Sequence, residues 1–297
     1  MKKSPKKTLR CAALLGASSL ALSSVLSADT ISVNFHVGND ADSATPAQAD
    51  HEITGSEAAG LDNNTTWNNI NVGNSGNNST AGSIFTTTVL TDDAGDASAA
   101  TISQGGGDST WFVGYGADSA GGASEIGLAG SNHDDLFNSY LALNSSTYGD
   151  GNPSDAGYIS ITGLGTAYTS GGYNLIIYSD SDKRAGSTGA DRTSEFSIIP
   201  GGGSLITNYL VEDDIPNRIT FSGTYIASDN SDTDDAYSNY TVIAGLTADS
   251  FDLYIHSDDG GRGAISGFQI VAVPEPSTTA LLAGLLGLSY VMVRRRS

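Results

Sequence analysis

Short segments in which every second residue is apolar, separated by clusters of Gly, Asn, Asp and Ser, most constrain the fold of this 297-residue chain. Such spacing places one face of an extended strand on a core. Recurrent short strands of this kind, with turn-forming clusters between them, predict an all-β sandwich. The inward positions in the clearest segments are Ile31, Val33, Phe35 and Val37; Phe85, Thr87 and Val89; Trp111, Val113 and Tyr115; Ile159 and Ile161; Tyr173, Leu175 and Ile177; Ile219, Phe221 and Tyr225; and Phe268 and Ile270.

One segment breaks the alternation. Over Asp134–Leu143 the apolar residues recur with helical spacing, at Leu136, Phe137, Tyr140 and Leu141. Asn132 and Asp134 stand at its start, where short polar side chains cap helices. We therefore expect one short helix in the sandwich.

The first 28 residues have the three parts of a secretory signal peptide. A basic start (Lys2, Lys3, Lys6, Lys7 and Arg10) precedes an apolar stretch over 11–25, and small residues follow at Ser27 and Ala28. Cleavage after Ala28 removes Cys11, the single cysteine of the chain. The mature chain then has neither a disulfide nor a thiol nucleophile.

The last 25 residues, 273–297, form a second targeting segment. A proline-rich motif comes first, then an apolar run over 278–293, then a basic stop: Val273, Pro274, Glu275, Pro276 and Ser277, and later Arg294, Arg295 and Arg296. The prolines cannot continue a central strand, so the sandwich domain is predicted to span 29–272. The apolar run over 278–293 is predicted to be a single transmembrane helix, slightly shorter than the roughly 20 residues that usually span a bilayer, and the arginines are expected to stay cytoplasmic. An ordinary C-terminal anchor is the alternative.

Charge narrows the range of partners. Five of the 13 Lys and Arg residues lie in the signal segment and three at the C-terminus, and only one of the 33 acidic residues lies outside 29–272. The mature domain therefore has five positive against 32 negative side chains, a net charge near −27. Nucleic acid and anionic lipid surfaces are poor partners for such a protein.

No motif for catalysis is convincing, so we predict a protein without enzymatic activity. The four histidines are scattered, and neither a zinc-binding spacing nor a Gly-x-Ser-x-Gly elbow occurs. Gly107-Asp108-Ser109 is similar to the nucleophile block of GDS-type esterases, but its position and the spacing of Asp252 and His256 depart from theirs. A secreted hydrolase acting on polysaccharide or ester is the alternative function.

Two binding sites are candidates. Oxygen-rich loops suit Ca²⁺, and one loop holds Asp229, Asp232, Asp234 and Asp235 within seven residues. A solvated acidic loop explains the same residues. Trp67, in an Asn-rich loop, is a candidate platform for stacking a sugar ring, and Arg262 could bind hydroxyl groups. The alternatives are a core anchor for Trp67 and a salt bridge for Arg262.

An internal similarity links two parts of the body. Residues 158–164 (YISITGL) lead to 173–180 (YNLIIYSD), and residues 241–246 (TVIAGL) lead to 251–258 (FDLYIHSD). Each copy contains a strand, a Gly-Leu turn, a second strand that begins with an aromatic residue, and a Ser-Asp loop. Duplication and the general sameness of β-strands both explain this pattern.

The Val-Pro-Glu-Pro-Ser motif, the apolar run and the arginine triplet closely resemble the PEP-CTERM signal of exported bacterial proteins. That resemblance implies recognition by an exosortase-type membrane transpeptidase, with cleavage near the motif. The body over 30–272 more diffusely resembles galactose-binding-like jelly-roll domains, through the Ile31–Phe35 strand, Trp67-Asn68-Asn69, the Tyr173–Asp180 strand and the Gly261–Val271 ending. It implies a sandwich whose first and last strands pair. We therefore expect an exported, non-catalytic protein of the cell surface or biofilm matrix, anchored in the membrane before processing and able to bind polysaccharide.

Overall fold

The computed structural model describes residues 29–36, 52–54, 58–72, 76–78, 86–105, 109–113, 132–137, 140–144, 157–179, 193–211, 224–231, 237–257, 263–274, 289 and 292. Residue contacts divide the chain into a body, Asp29–Val273, and a second unit made of both termini. The predicted signal peptide lies outside the described residues, and so does nearly all of the apolar run. Within the described part of the chain, no helix is both long and apolar enough to cross a membrane.

The body is built of β-strands with two helices of six and four residues among its described segments. The helices are α1 (Asn132–Phe137) and α2 (Thr166–Thr169). The strands are β1 (Thr30–His36), β2 (Asn68–Asn71), β3 (Gly76–Asn78), β4 (Thr88–Thr91), β5 (Ala97–Gly105), β6 (Ser109–Val113), β7 (Tyr140–Asn144), β8 (Tyr158–Thr162), β9 (Tyr173–Tyr178), β10 (Ser194–Pro200), β11 (Ile206–Val211), β12 (Tyr240–Leu246), β13 (Ser250–Ser257), β14 (Gly263–Ile265) and β15 (Gly267–Ala272).

These strands form three sheets. A five-stranded sheet has the order β12-β9-β15-β1-β2, and a six-stranded sheet has the order β11-β10-β13-β8-β5-β4. A four-stranded sheet has the order β14-β7-β6-β3. Every pairing is antiparallel except that of β1 with β2, which is parallel. The predicted all-β sandwich is confirmed at this level.

The main core lies between the five-stranded and six-stranded sheets. Alternate residues of β1 and β15 are fully buried in one cluster with alternate residues of β8 and β13 from the other sheet. The rings of Tyr173 and Phe251, one from each sheet, lie 6.3 Å apart. Burying one face of each strand in this way provides the main driving force for folding.

The first and last strands of the body are neighbours. Thr30 of β1 lies opposite Val271 of β15, and the Ala272 amide donates a hydrogen bond to the Asp29 carbonyl over 2.9 Å. The Val273 amide continues the pattern with a 2.8 Å bond to the Gly172 carbonyl. Both ends of the body therefore leave from the same end of the five-stranded sheet.

Most inward positions that the structure describes agree with the alternation. Ile31, Val33, Phe35, Ile159, Ile161, Tyr173, Leu175, Ile177, Phe268 and Ile270 are all fully buried. Val89 is a correction, because it is 55% exposed and Leu90 is buried in its place. Thr87, from the same predicted segment, is exposed too. Val89 lies opposite Thr101, whose neighbours Ala100 and Ile102 are in the core, so the pairing with β5 sets Val89 outward and Leu90 inward.

The helix prediction was also wrong in its second half. The helix ends at Phe137, and Tyr140 and Leu141 belong to β7. Tyr140 lies opposite Val113 of β6, and Leu141 lies opposite Ile265 of β14. Pairing with two distant strands outweighs the local helical spacing here. Tyr225 lies outside the strands, and Val37, Phe85, Tyr115, Ile219 and Phe221 lie outside the described residues.

The two similar segments occupy reciprocal places in the sandwich. The first copy supplies β8 to the six-stranded sheet and β9 to the five-stranded sheet. The second copy supplies its first strand, β12, to the five-stranded sheet and its second strand, β13, to the six-stranded sheet. Consequently β8 pairs with β13, and β9 pairs with β12. Gly163 and Gly245, in the matching turns, have left-handed φ values of 76° and 73°. The two copies are thus arranged as if related by a two-fold axis.

Candidate functional site

Trp67 is a buried residue. Its side chain is 8% exposed, and its Nε1 donates a 2.9 Å hydrogen bond to the Asn64 carbonyl. The ring belongs to a second apolar cluster, which consists of Ile53, Ala59, Trp67, Leu136, Phe137, Ile176 and Tyr178. A stacking platform needs an open indole face, so the structure favours the interpretation of Trp67 as a core anchor.

The other predicted site residues are described only in part. Asp229 is exposed, and its carboxylate accepts a 2.8 Å bond from the Ser231 amide. Asp232, Asp234, Asp235 and Arg262 lie outside the described residues, as do Glu275, Pro276, Ser277 and Arg294–Arg296. Among the residues that are described, no three or more His, Cys, Asp or Glu side chains are arranged to hold a metal ion. Calcium binding by the Asp229–Asp235 loop stays a prediction.

A different surface brings together residues suited to recognising a sugar. This surface, the outer face, is the side of the six-stranded sheet that points away from the core. Tyr254 of β13 lies between Ser197 of β10 and Tyr158 of β8, and Tyr158 in turn lies opposite Gly105 of β5. The Tyr158 and Tyr254 rings are 5.1 Å apart and inclined at 38°. A Cβ on Gly105 would lie 2.3 Å from the Tyr158 ring, so glycine leaves room for that ring.

Polar side chains continue the outer face beside the two rings. Asp252 lies opposite Ser160, which lies opposite Ser103, and all three are partly exposed. In the following row the Thr101 and Thr162 hydroxyl oxygens are 2.9 Å apart. Tyr158 is partly exposed, whereas Tyr254 is buried at 6% exposure, so of the two rings only that of Tyr158 can stack on a ligand. This ring lies near a carboxylate and several hydroxyls, which are hydrogen-bond partners suited to sugar hydroxyls.

The outer side of the sheet also holds a serine, a histidine and a glutamate whose side chains contact one another in a row. The Ser197 Oγ lies 3.1 Å from the His256 Nε2, and the His256 Nδ1 lies 3.2 Å from a Glu195 carboxylate oxygen. With the ring proton on Nδ1, the imidazole donates to Glu195 and accepts from the Ser197 hydroxyl. This is the order of groups that activates a serine nucleophile in hydrolases.

Burial decides what this arrangement can do. Ser197 is 0% exposed and His256 is 2% exposed, so no substrate carbonyl can approach the hydroxyl in this structure. The three side chains therefore act as a polar link between β10 and β13, buried at Ser197 and His256 and partly exposed at Glu195. Sequence spacing alone could not reveal it, because His256 faces Glu195 only through the pairing of strands some 60 residues apart.

Comparison with known proteins adds no relative. No family model matches this chain, and neither the curated proteins nor the solved structures include a significant match to it.

Proposed function

We propose that this chain is an exported protein, sorted through its C-terminal tail by an exosortase-type transpeptidase and deposited at the cell surface or in a biofilm matrix. Its mature body acts without catalysis and binds carbohydrate on the outer face. The tail motif supports the sorting route, and the two facing sheets, antiparallel except for the β1–β2 pair, with their paired terminal strands support a jelly-roll of the galactose-binding-like kind. The observation that carries carbohydrate binding is the partly exposed Tyr158 ring, which packs against the buried Tyr254, on the same face as the partly exposed Asp252.

The ends of the body fit processing on both sides. Asp29 and Val273 are the outermost residues of the body, and each takes part in a backbone hydrogen bond within it. Cleavage after Ala28 and near Pro274–Pro276 would therefore leave every strand of the body intact. Val273, the first residue of the proline-rich motif, makes the last of these bonds, and the prolines follow it.

Intact-mass analysis tests the sorting route. Protein recovered from host cells with an active exosortase should begin at Asp29 and end near Pro274–Pro276, because the targeting segments are removed on export. Cells without the sorting enzyme provide the control and should retain the C-terminal run. Recovery of an unprocessed, membrane-anchored C-terminus from cells with the enzyme would contradict the proposal.

Charge complementarity selects the class of glycan. The outer face carries Glu195 and Asp252, and no Lys or Arg occurs among the described residues. The mature body has a net charge near −27. Uronate or sulfate groups would be repelled by this surface, whereas neutral or amino-bearing sugars would not. The proposed ligand is therefore a neutral or amino-sugar polysaccharide.

Replacing Tyr158 with alanine should weaken retention on such a polysaccharide about 5- to 150-fold, since one aromatic stacking contact contributes about 1–3 kcal/mol. Affinity electrophoresis of the mature protein measures the loss. Tyr158→Phe keeps the ring and should keep most of the affinity. Tyr240→Ala makes the same change on the five-stranded sheet and should leave retention unchanged. Equal retention of wild type and Tyr158→Ala, per folded molecule, would remove the outer face from the proposal.

The hydrolase alternative is favoured by one observation, the Ser197–His256–Glu195 geometry, and opposed by the burial of Ser197. Acyl transfer would require the serine to become accessible. Covalent labelling of the mature wild-type protein, but not of Ser197→Ala, by a fluorophosphonate would establish the alternative. Absence of labelling in the wild type would leave the structural role of the three residues.

A further inference from the structure

Three chain segments meet where β1 begins. The Thr30 amide donates to an Asp93 carboxylate oxygen over 3.4 Å, and the Thr30 hydroxyl donates to Asp62 over 2.5 Å. Asp93 belongs to the turn between β4 and β5, and Asp62 belongs to the loop before β2. The Thr66 hydroxyl ties these two segments together through a 3.1 Å bond to the Asp93 carbonyl.

Negative charge accumulates at this junction. Asp29, Asp62, Asp92 and Asp93 form what we call the acidic junction, and none of the described residues is a Lys or Arg that could balance it. Like charges held in one place cost stability unless a positive group joins them. The described part of the junction therefore lacks a cationic partner.

Tyr168 of α2 gives an independent indication that a hydrogen-bonding group is missing here. Its side chain is 3% exposed, and its hydroxyl is buried without a hydrogen-bond partner. Burial is the largest cause that raises the pKa of this phenol, and the carboxylates of Asp29, Asp92 and Asp93 raise it further. The unpaired hydroxyl thus lies within electrostatic reach of the acidic junction. A buried hydroxyl of this kind normally has a partner.

We propose that the missing partner is the α-ammonium group of Asp29, which signal-peptide cleavage creates inside the acidic junction. The position of this ammonium group follows from covalent geometry, because the Asp29 nitrogen is three bonds from the Thr30 nitrogen and so within about 4 Å of it. The inference rests on the proposed export of the chain, which supplies the cleavage. Capture of a chain terminus by polar groups of a fold is a known mode of recognition.

The chemical step is ordinary peptide hydrolysis. Water adds to the carbonyl of Ala28, the bond from that carbon to the Asp29 nitrogen breaks, and a carboxylate remains on Ala28. The released amine of Asp29 binds a proton at neutral pH, since its ordinary pKa is about 8. A neutral amide in the precursor thus becomes a cation next to Thr30, which the carboxylates of Asp62 and Asp93 contact, and next to the side chain of Asp29 itself.

The expected consequence is a maturation step that stabilises the start of β1. β1 is flanked by β15 and β2, and the Asp29 carbonyl already accepts the Ala272 amide, so fixing Asp29 secures the pairing of the terminal strands. The groups around the new terminus are the carboxylates of Asp62 and Asp93, which contact Thr30, and that of Asp29 itself. The Asp92 carboxylate and the neutral Tyr168 phenol interact electrostatically within the same junction. The carboxylates favour the charged amine. The gain in stability is therefore complete at neutral pH, below the ordinary pKa of the α-amine near 8. It is lost as the pH rises through the higher pKa that this amine has in the folded state.

The test compares two exported forms of the full chain. One form has the native sequence at the cleavage site. The other has Gly-Ser-Gly inserted after Ala28, which keeps the terminal ammonium group but moves it up to about 10 Å along the chain. At pH 7 and low salt, the form that begins at Asp29 should melt about 2–4 °C higher, the shift that corresponds to a change of about 1 kcal/mol in a body of this size. The difference should vanish at pH 10 and shrink in 1 M NaCl, which screens the charges.

The native form and the form with the insertion are also compared in an Asp62→Asn/Asp93→Asn double variant. This comparison tests whether the acidic junction causes the melting difference. The melting difference should disappear there, because the ammonium loses two of its partners. Equal melting of the two forms in the wild-type background, or a difference that persists in the double variant, would overturn the inference. Should intact mass show cleavage at another residue, the processing proposal fails by itself. The acidic junction is then tested on the same chain released at Asp29 from a cleavable N-terminal fusion.

Discussion

Replacing Trp67 with alanine should lower the free energy of unfolding by about 3–5 kcal/mol, the usual cost of truncating a buried aromatic residue. The indole is buried in the second apolar cluster, and its Nε1 satisfies the Asn64 carbonyl. Truncation removes both the packing and this bond. Denaturant unfolding measures the loss as a lower midpoint with an unchanged slope.

Trp67→Phe is the matched control. It keeps an aromatic ring in the cluster but loses the bond to the Asn64 carbonyl, so it should cost clearly less than the alanine change. Glycan retention per folded molecule should be unaffected by either variant. A loss of stability below about 1 kcal/mol for Trp67→Ala would contradict the burial of the ring and reopen its role as a stacking platform.

The second large effect is expected at two glycines that occupy equivalent turns, because replacing each with alanine should destabilise the protein to a different extent. Gly163 and Gly245 have the same left-handed backbone, so alanine is strained at either position by about 1–2 kcal/mol. A Cβ on Gly163 would lie 2.7 Å from the Ala99 carbonyl oxygen, whereas a Cβ on Gly245 meets nothing within 4 Å. Overpacking should therefore add about 1–3 kcal/mol for Gly163→Ala alone.

Thermal and denaturant unfolding of the two single variants provide the measurement, and each variant serves as the control for the other. Gly245→Ala reports the conformational strain, and the excess in Gly163→Ala reports the contact with the β5 backbone. Equal losses in the two variants would show that β5 moves away without cost. The result would also measure how rigidly β5 is held against the first of the two similar turns.

Period-2 spacing was enough to predict a sandwich because strands with one buried face carry that pattern in their own residues. Ile31, Val33 and Phe35 are an example, and all three are buried as expected. The prediction failed where distant pairing decided the outcome. Tyr140 and Leu141 have helical spacing from Leu136 and Phe137, yet their partners are Val113 and Ile265. Local spacing contains no information about such partners.

The candidate site was less predictable than the fold, for the same reason. The outer face depends on the register that sets Tyr158 beside Tyr254, and the buried link depends on the register that sets Glu195 beside His256. A shift of one residue would move these side chains to the opposite face. Trp67 was singled out by its polar neighbours in the sequence, but its burial comes from strands and loops far along the chain.

The position of β15 has a consequence for the order of events in the life of this protein. This strand, made from the last residues of the body, lies inside the five-stranded sheet between β9 and β1. The sheet cannot close until those residues are available, so under the export route proposed above the polypeptide would have no complete native sheet to adopt during its passage through a secretion channel. Contacts between such distant residues are also slow to form. The apolar tail that follows would hold the newly arrived chain at the membrane during that interval, and its removal would come naturally after folding.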